Sequence, residues 1–217
     1  MSKIKIMINI LIFSFLLLIP IFASGEDISK YPETIAVLRE LYKDETTAYK
    51  AYSAFAQKAL EEKYDSVATL FIALRESESV HARNFKNILK GLHVTVEEIP
   101  ESNINVSSTK ENLKYVLNVE LSEIDTRYPE FIERIKVEAN EQSIRDITYA
   151  WKAEMQHRDL IKKMQSAIGF FFGRLVQKLK GADKYFVCQR CGSTLFKLPQ
   201  HSCIICGSPV TMYKEVK

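Results

Sequence analysis

The chain has 217 residues, 47% of them apolar and 26% charged, with a formal charge of +3. That length buries a sizeable core in one or two domains, and that composition excludes wholesale disorder. So small a charge gives no footprint for nucleic acid, and the absence of glycine from 26–90 and 92–168 excludes a many-turned all-β fold.

Lys3 and Lys5 precede an apolar run from Ile6 to Ile19, then Pro20 and the small residues Ala23 and Gly25. This is the pattern of a secretory signal peptide over 1–25, cut after Gly25. Its removal takes the charge from +3 to +1. The alternative is an uncleaved membrane anchor over 6–22, at the lower limit for a span. Either way the body is expected to be exported, periplasmic or extracytoplasmic.

Four long helices follow. Leu38, Leu41, Tyr49, Tyr52, Phe55 and Ala59 mark the first, over 34–62. Val67, Phe71, Leu74, Phe85 and Ile88 mark the second, over 66–89. The third, over 110–137, carries Leu113, Val116, Leu121, Ile124, Tyr128, Phe131 and Ile135, and Pro129 should kink it. The fourth, over 142–165, carries Ile147, Trp151, Ile161 and Met164. Spacings of three and four give each helix one buried stripe. The first and second pairs have tight turns, whereas 92–109 is long enough to run the length of a bundle. One long crossover predicts a mainly α, ferritin-like four-helix bundle over 26–166. A linker helix is expected over 167–183.

Each apolar stripe is interrupted by acid or histidine: Glu45; Glu78 and His81; Glu120 and Glu123; Glu154 and His157. Buried carboxylates need counter-charge, and no matching Lys or Arg lies on these stripes. Metal cations would supply it, and oxygen plus imidazole donors suit iron or manganese. Glu78-x-x-His81 and Glu154-x-x-His157 each place both side chains on one helix face. Two such motifs plus a Glu from each remaining helix form a di-metal carboxylate site. The pattern repeats: Glu45 to Glu78 spans 33 residues and Glu120 to Glu154 spans 34.

All four cysteines fall in 184–217, as Cys188-x-x-Cys191 and Cys203-x-x-Cys206. Two such pairs this close predict a four-thiolate metal site, with iron and zinc both open and two disulfides as the rival. Tyr185, Phe186, Phe196 and Tyr213 are expected to form a small aromatic core.

These residues together resemble the rubrerythrins. The match rests on Glu45-Thr-Thr-Ala-Tyr-Lys-Ala-Tyr52, Glu78-x-x-His81-Ala-Arg, Glu120-Leu-Ser-Glu123 with Tyr128-Pro129-Glu130-Phe131, Glu154-x-x-His157 and the four cysteines. The resemblance implies two irons held by Glu45, Glu78, Glu120, Glu154 and His157, with Glu123 and His81 exchanging on one iron between redox states. It places Tyr52 and Tyr128 beside the irons. It implies a rubredoxin-like domain over 184–217, whose iron (or zinc) is held by Cys188, Cys191, Cys203 and Cys206. The implied activity is reduction of hydrogen peroxide to water, with Glu123, His81, Tyr52 and Tyr128 as the catalytic group. Electrons would come from an unidentified redox protein and pass to the di-iron site of a partner subunit in a homodimer. Iron oxidation and handling is the second reading, and a non-enzymatic metal-binding protein with a structural zinc knuckle is the third. Ile204 stands where the family usually has Pro, Ser193 where an aromatic is common, and an export signal is unlike the cytoplasmic members.

Overall fold

The computed structural model describes residues 30–100, 103–170 and 184–217. The expected signal segment and linker positions 171–183 lie outside the described residues. None of the described helices is long and apolar enough to cross a membrane.

Helix α1 (Pro32–Glu61) and helix α2 (Asp65–Gly91) pair through a tight turn in which Lys63 takes a left-handed φ of 64°. The crossover that follows is anchored on α1, where Lys50 Nζ donates to the Ile99 and Pro100 carbonyls at 3.0 Å. Ser108 starts α3 (Thr109–Ser122) with a capping box: its side chain accepts from the Glu111 amide while Glu111 accepts from the Ser108 amide.

The third helix is not one kinked rod. A π turn over Glu123–Arg127 separates α3 from α4 (Tyr128–Ile135). Pro129 lies behind this break, but through a missing donor rather than a bend. In the π turn the Tyr128 amide bonds to the Glu123 carbonyl, five residues back. The same register would pair the Ile124 carbonyl with residue 129, which has no N–H. Trp151 Nε1 supplies the donor instead, at 2.9 Å from Ile124 O. A short 3-10 turn, Lys136–Glu138, follows, and Glu138 accepts from the Glu33 and Thr34 amides at 2.9 Å, capping α1. Helix α5 runs Glu141–Phe170, longer than the pattern predicts and including the first positions of the expected linker.

The bundle core is two apolar clusters with the acidic residues between them. One contains Phe55, Phe71, Leu74, Leu113, Val116 and Ile161, and the other Leu38, Leu41, Phe85, Phe131, Ile135 and Ile147. Tyr49, expected on the α1 stripe, is instead 40% exposed beneath the Arg75 guanidinium. The C-terminal residues form a three-stranded antiparallel sheet of order β2-β1-β3, from β1 (Tyr185–Cys188), β2 (Thr194–Leu195) and β3 (Tyr213–Val216). Tyr185, Val187 and Val216 of this sheet pack into the first bundle cluster. The expected aromatic core is thus partly spent on the bundle: Tyr185 stacks near Phe196 at 5.0 Å between centroids, while Tyr213 lies against the cysteines.

Candidate metal centres

Helix α1 contributes Glu45, α2 contributes Glu78 and His81, α3 contributes Glu120, and α5 contributes Glu154 and His157. All six are buried. They form two groups, Glu45–Glu78–His81–Glu154 and Glu78–Glu120–Glu154–His157, with one donor atom from each member within 4.8 Å of the others. Glu78 and Glu154 belong to both. His81 Nδ1 faces Glu78 Oε2 at 2.9 Å and Glu154 Oε1 at 3.0 Å. His157 Nδ1 faces Glu154 Oε2 at 2.7 Å and Glu78 Oε1 at 3.3 Å. Each shared carboxylate therefore turns one oxygen to each imidazole, the arrangement a pair of bridged cations requires.

A proton on each imidazole cannot satisfy this set. One nitrogen donates one hydrogen bond, and two or three carboxylates converge on it. Glu78 Oε1, Glu120 Oε2 and Glu154 Oε1 are buried without an aligned hydrogen-bond partner among the described residues. Orphaned acidic oxygens around bare ring nitrogens are the donor set for divalent cations, and the residues present fit two irons. Without metal, the site is electrostatically strained. Burial, and after it Glu154 and then Glu78, push the Glu45 carboxyl well up. Burial and then Glu154 do the same to Glu120. Burial alone would lower His81, but Glu154 and Glu78 outweigh it and carry it to about 10. Burial alone would raise Glu154, yet the two imidazoles, His157 foremost, hold it well below the usual range.

Tyr52 Oη donates to Glu120 Oε1 at 3.0 Å, and Tyr128 Oη donates to Glu45 Oε1 at 2.6 Å. Burial first, then neighbouring carboxylates, push both phenols well up, so they remain donors. Each unshared acid is thus aimed by a tyrosine. Glu123 is the exception among the expected ligands: it joins neither group. It lies at the start of the π turn, with its Oε1 3.9 Å from Arg127 Nη1. Burial, then Glu154 and Glu78, push its carboxyl up to about 8. The structure therefore has His81 in the site and Glu123 outside it.

The four thiols are free and gathered: Cys188 Sγ lies 3.8 Å from Cys206 Sγ, and Cys191 Sγ lies 3.5 Å from Cys203 Sγ. Two disulfides are not formed. A tetrahedral site with metal–sulfur bonds of about 2.3 Å has sulfur–sulfur edges of about 3.8 Å, so the four fit one iron or zinc.

This knuckle sits on the histidines. His81 Nε2 lies 3.2 Å from the Cys191 carbonyl, and His157 Nε2 lies 3.4 Å from Thr194 Oγ1, which donates to the Gly192 carbonyl at 2.9 Å. The carbonyl can only accept, so His81 donates to it from Nε2, and a metal at Nδ1 would take the place of the proton that the carboxylates otherwise hold there. Ser77 Oγ donates to the Gly192 carbonyl at 2.7 Å, Asn84 Nδ2 to the Arg190 carbonyl at 2.8 Å, and the Thr194 amide to Gln156 Oε1 at 3.0 Å. Arg83 donates to the Gln189 carbonyl, and Arg190 pairs with Asp146. Gly192 has φ +78°, and a Cβ there would lie 2.2 Å from His81 Nε2. The contact is possible only with glycine.

The structure brings together six of the seven bundle residues expected from sequence, with Glu123 left outside, and the docking surface was not anticipated. Ser77, Asn84, Gln156 and Thr194 are ordinary polar residues on their own elements. The one usable signal was that Ser77 and Asn84 flank the Glu78-x-x-His81 motif on the same helix. Glu76, beside the Glu78-x-x-His81 motif, pairs with Lys214 of β3 at 2.8 Å. His93 takes a left-handed turn after α2 and His201 is exposed, and neither belongs to a ligand group.

Residues 36–165 match the family model described as Rubrerythrin. The chain is 28% identical to Rubrerythrin-2 of Clostridium acetobutylicum over 174 residues, covering 80% of this chain and 91% of that protein. Among solved structures it is similar to nigerythrin in its fully reduced, all-ferrous state, with TM-score 0.73, 25% identity, and coverage of 84% and 86% of the two chains. It shares its fold with the bacterioferritin of Desulfovibrio desulfuricans, at TM-score 0.64 and 18% identity, covering 69% of this chain and 88% of that one.

Proposed function

The chain belongs to the rubrerythrin family of non-haem iron oxidoreductases, and from that premise we propose that it reduces hydrogen peroxide to water. The observation that carries this reading is the pair of shared carboxylates, Glu78 and Glu154, each offering one oxygen to either side of a buried site. Two ferrous ions, if held by these carboxylates and imidazoles, would supply the two electrons that cleave the O–O bond. The chain's own residues do the rest. Glu45 and Glu120, aimed by Tyr128 and Tyr52, fix the two ends of the site. His81 and His157 would turn Nδ1 to the metals while the knuckle engages their Nε2 atoms. The reaction consumes two protons. Glu123 lines a cavity of about 190 Å³ with Asp44, Tyr52 and Arg127, so its carboxyl is placed to deliver a proton to a molecule in that space.

The contact between the Cys191 carbonyl and His81 supports the four-cysteine metal as the electron relay. A single hydrogen bond joins a cysteine residue of one centre to a ligand residue of the other. Within the described chain this link is internal, whereas the family resemblance places the receiving site in a partner subunit. We also read the body as exported, which makes the electron donor an extracytoplasmic redox protein. N-terminal sequencing of the mature protein tests the expected cut after Gly25.

The test of the activity is rapid mixing. Iron-loaded, fully reduced protein should be oxidised at least tenfold faster by hydrogen peroxide than by dioxygen at equal concentration. Faster oxidation by dioxygen would overturn the peroxide reading and favour iron oxidation.

A further inference from the structure

Glu123 lines a cavity with Ala48, Ala51, Tyr52 and Val119, and its Oε1 lies 3.9 Å from Arg127 Nη1. Its one cationic neighbour among the described residues is Arg127, four positions on, at the far end of the same π turn. Arg127 is itself tethered from α1: its Nη2 lies 2.5 Å from Asp44 Oδ2 and 2.9 Å from Glu40 Oε1. The guanidinium fork can serve acceptors on two edges at once, which an ammonium cannot. Asp44 directly precedes the ligand Glu45, so the tether ties the Glu123 side of the site to the helix that supplies one of its fixed acids.

We propose that Arg127, anchored by Asp44 and Glu40, is a positioning residue that parks Glu123 outside the metal ligand groups and so weights the exchange between Glu123 and His81 toward the imidazole-bound state. This rests on the reading of Glu123 and His81 as exchanging ligands. Loss of the latch frees Glu123 to turn away from Arg127 and toward the carboxylate groups. An added carboxylate ligand favours the more highly charged, oxidised metal pair.

The experiment uses the iron-loaded full chain as wild type, Arg127→Met, Arg127→Lys, Glu123→Gln and the Arg127→Met/Glu123→Gln double variant. Crystal structures of the reduced proteins read the position of residue 123, and spectroelectrochemical titration reads the midpoint potential of the bundle irons. In the reduced wild type, Glu123 should lie outside both ligand groups. In Arg127→Met it should join the group that contains His81, with the oxidised-to-reduced ratio at fixed potential rising about tenfold, a fall of about 30 mV for a two-electron couple. Arg127→Lys should move both readouts the same way by less. In the Glu123→Gln background the potential shift should vanish. Two results would overturn the proposal: Glu123 unmoved in Arg127→Met, or a shift of equal size in the Glu123→Gln background, which would reveal a bare field effect. If Arg127→Met fails to fold, the position of Glu123 in Arg127→Lys decides in the same way. A wild type that does not favour peroxide would overturn the proposed activity and leave these readouts standing.

Discussion

The bundle site and the cysteine knuckle hold metals by opposite means. The bundle draws six buried donors from four helices, spread from Glu45 to His157, and aims them with tyrosines and with the knuckle itself. The knuckle draws four donors from two short turns between Cys188 and Cys206, on a sheet of strands no longer than four residues. The bundle has two apolar clusters to fold around, so its site is prepared by packing. The knuckle has little core of its own, so its metal and the bundle surface must hold it. The difference teaches which part of the chain each metal stabilises.

The sharpest way to break that contrast is to remove the knuckle's ligands. Replacing Cys188 and Cys191 by Ser should abolish metal binding in 184–217 and unfold that segment, because structural four-ligand sites supply on the order of 10–16 kcal/mol of apparent binding free energy. The bundle should keep two metals per chain and its helical circular dichroism. Loss of bundle metal as well would show that the two sites form only together.

A smaller effect separates shared from unshared acids. Glu154→Ala should lose both bundle metals, and Glu45→Ala should lose one, as read by metal analysis after desalting. In the metal-free protein, Glu154→Ala leaves His81 and His157 without one of the two carboxylates they share and should cost about 3–5 kcal/mol in denaturant unfolding.

The seam between the two regions is tested by Gly192→Ala. The left-handed φ alone costs about 1–3 kcal/mol, and the new Cβ collides with His81 Nε2. Both centres should keep their metals while electron transfer between them slows, because the collision pushes the Cys191–His81 contact apart. An unchanged rate would remove the Cys191–His81 contact from the route.

The smallest effect is a pH trend in the metal-free protein. Glu45, Glu120 and Glu123 are raised by burial, Glu123 to about 8, and the acids carry His81 to about 10. Each group favours folding while protonated and loses that contribution as pH rises through its folded value. Glu154 is depressed and acts oppositely, losing its contribution as pH falls below its ordinary carboxylate range. The melting temperature of metal-free protein should therefore fall from about pH 5 to pH 10. Metal loading should reverse the slope, because metal ligation needs the deprotonated ligands. A flat profile in metal-free protein would contradict the burial of these acids.

The sequence made the bundle legible because acids on an apolar stripe are conspicuous: Glu78-x-x-His81 and Glu154-x-x-His157 stand out against Leu74, Phe85, Trp151 and Ile161. The long crossover was legible from its length. The π turn was not, since Pro129 announces an interruption without saying whether the helix bends or widens. Its resolution depends on Trp151, a residue on another helix that donates to the Ile124 carbonyl. The placement of the knuckle was equally hidden. Gly192 reads locally as a knuckle turn, and only the tertiary contact shows that its missing Cβ makes room for His81. Periodicity reports which face of a helix is buried, but not which other element covers it.

The central claim is that the bundle holds two irons independently of the knuckle's single metal. Metal content of full-length protein purified without oxygen tests it most directly, counted by plasma mass spectrometry for wild type and for the Cys188→Ser/Cys191→Ser variant. The account predicts close to three irons per chain in the wild type and close to two in the variant. A bundle that holds no iron, or that holds zinc permanently and shows no redox change, would contradict it.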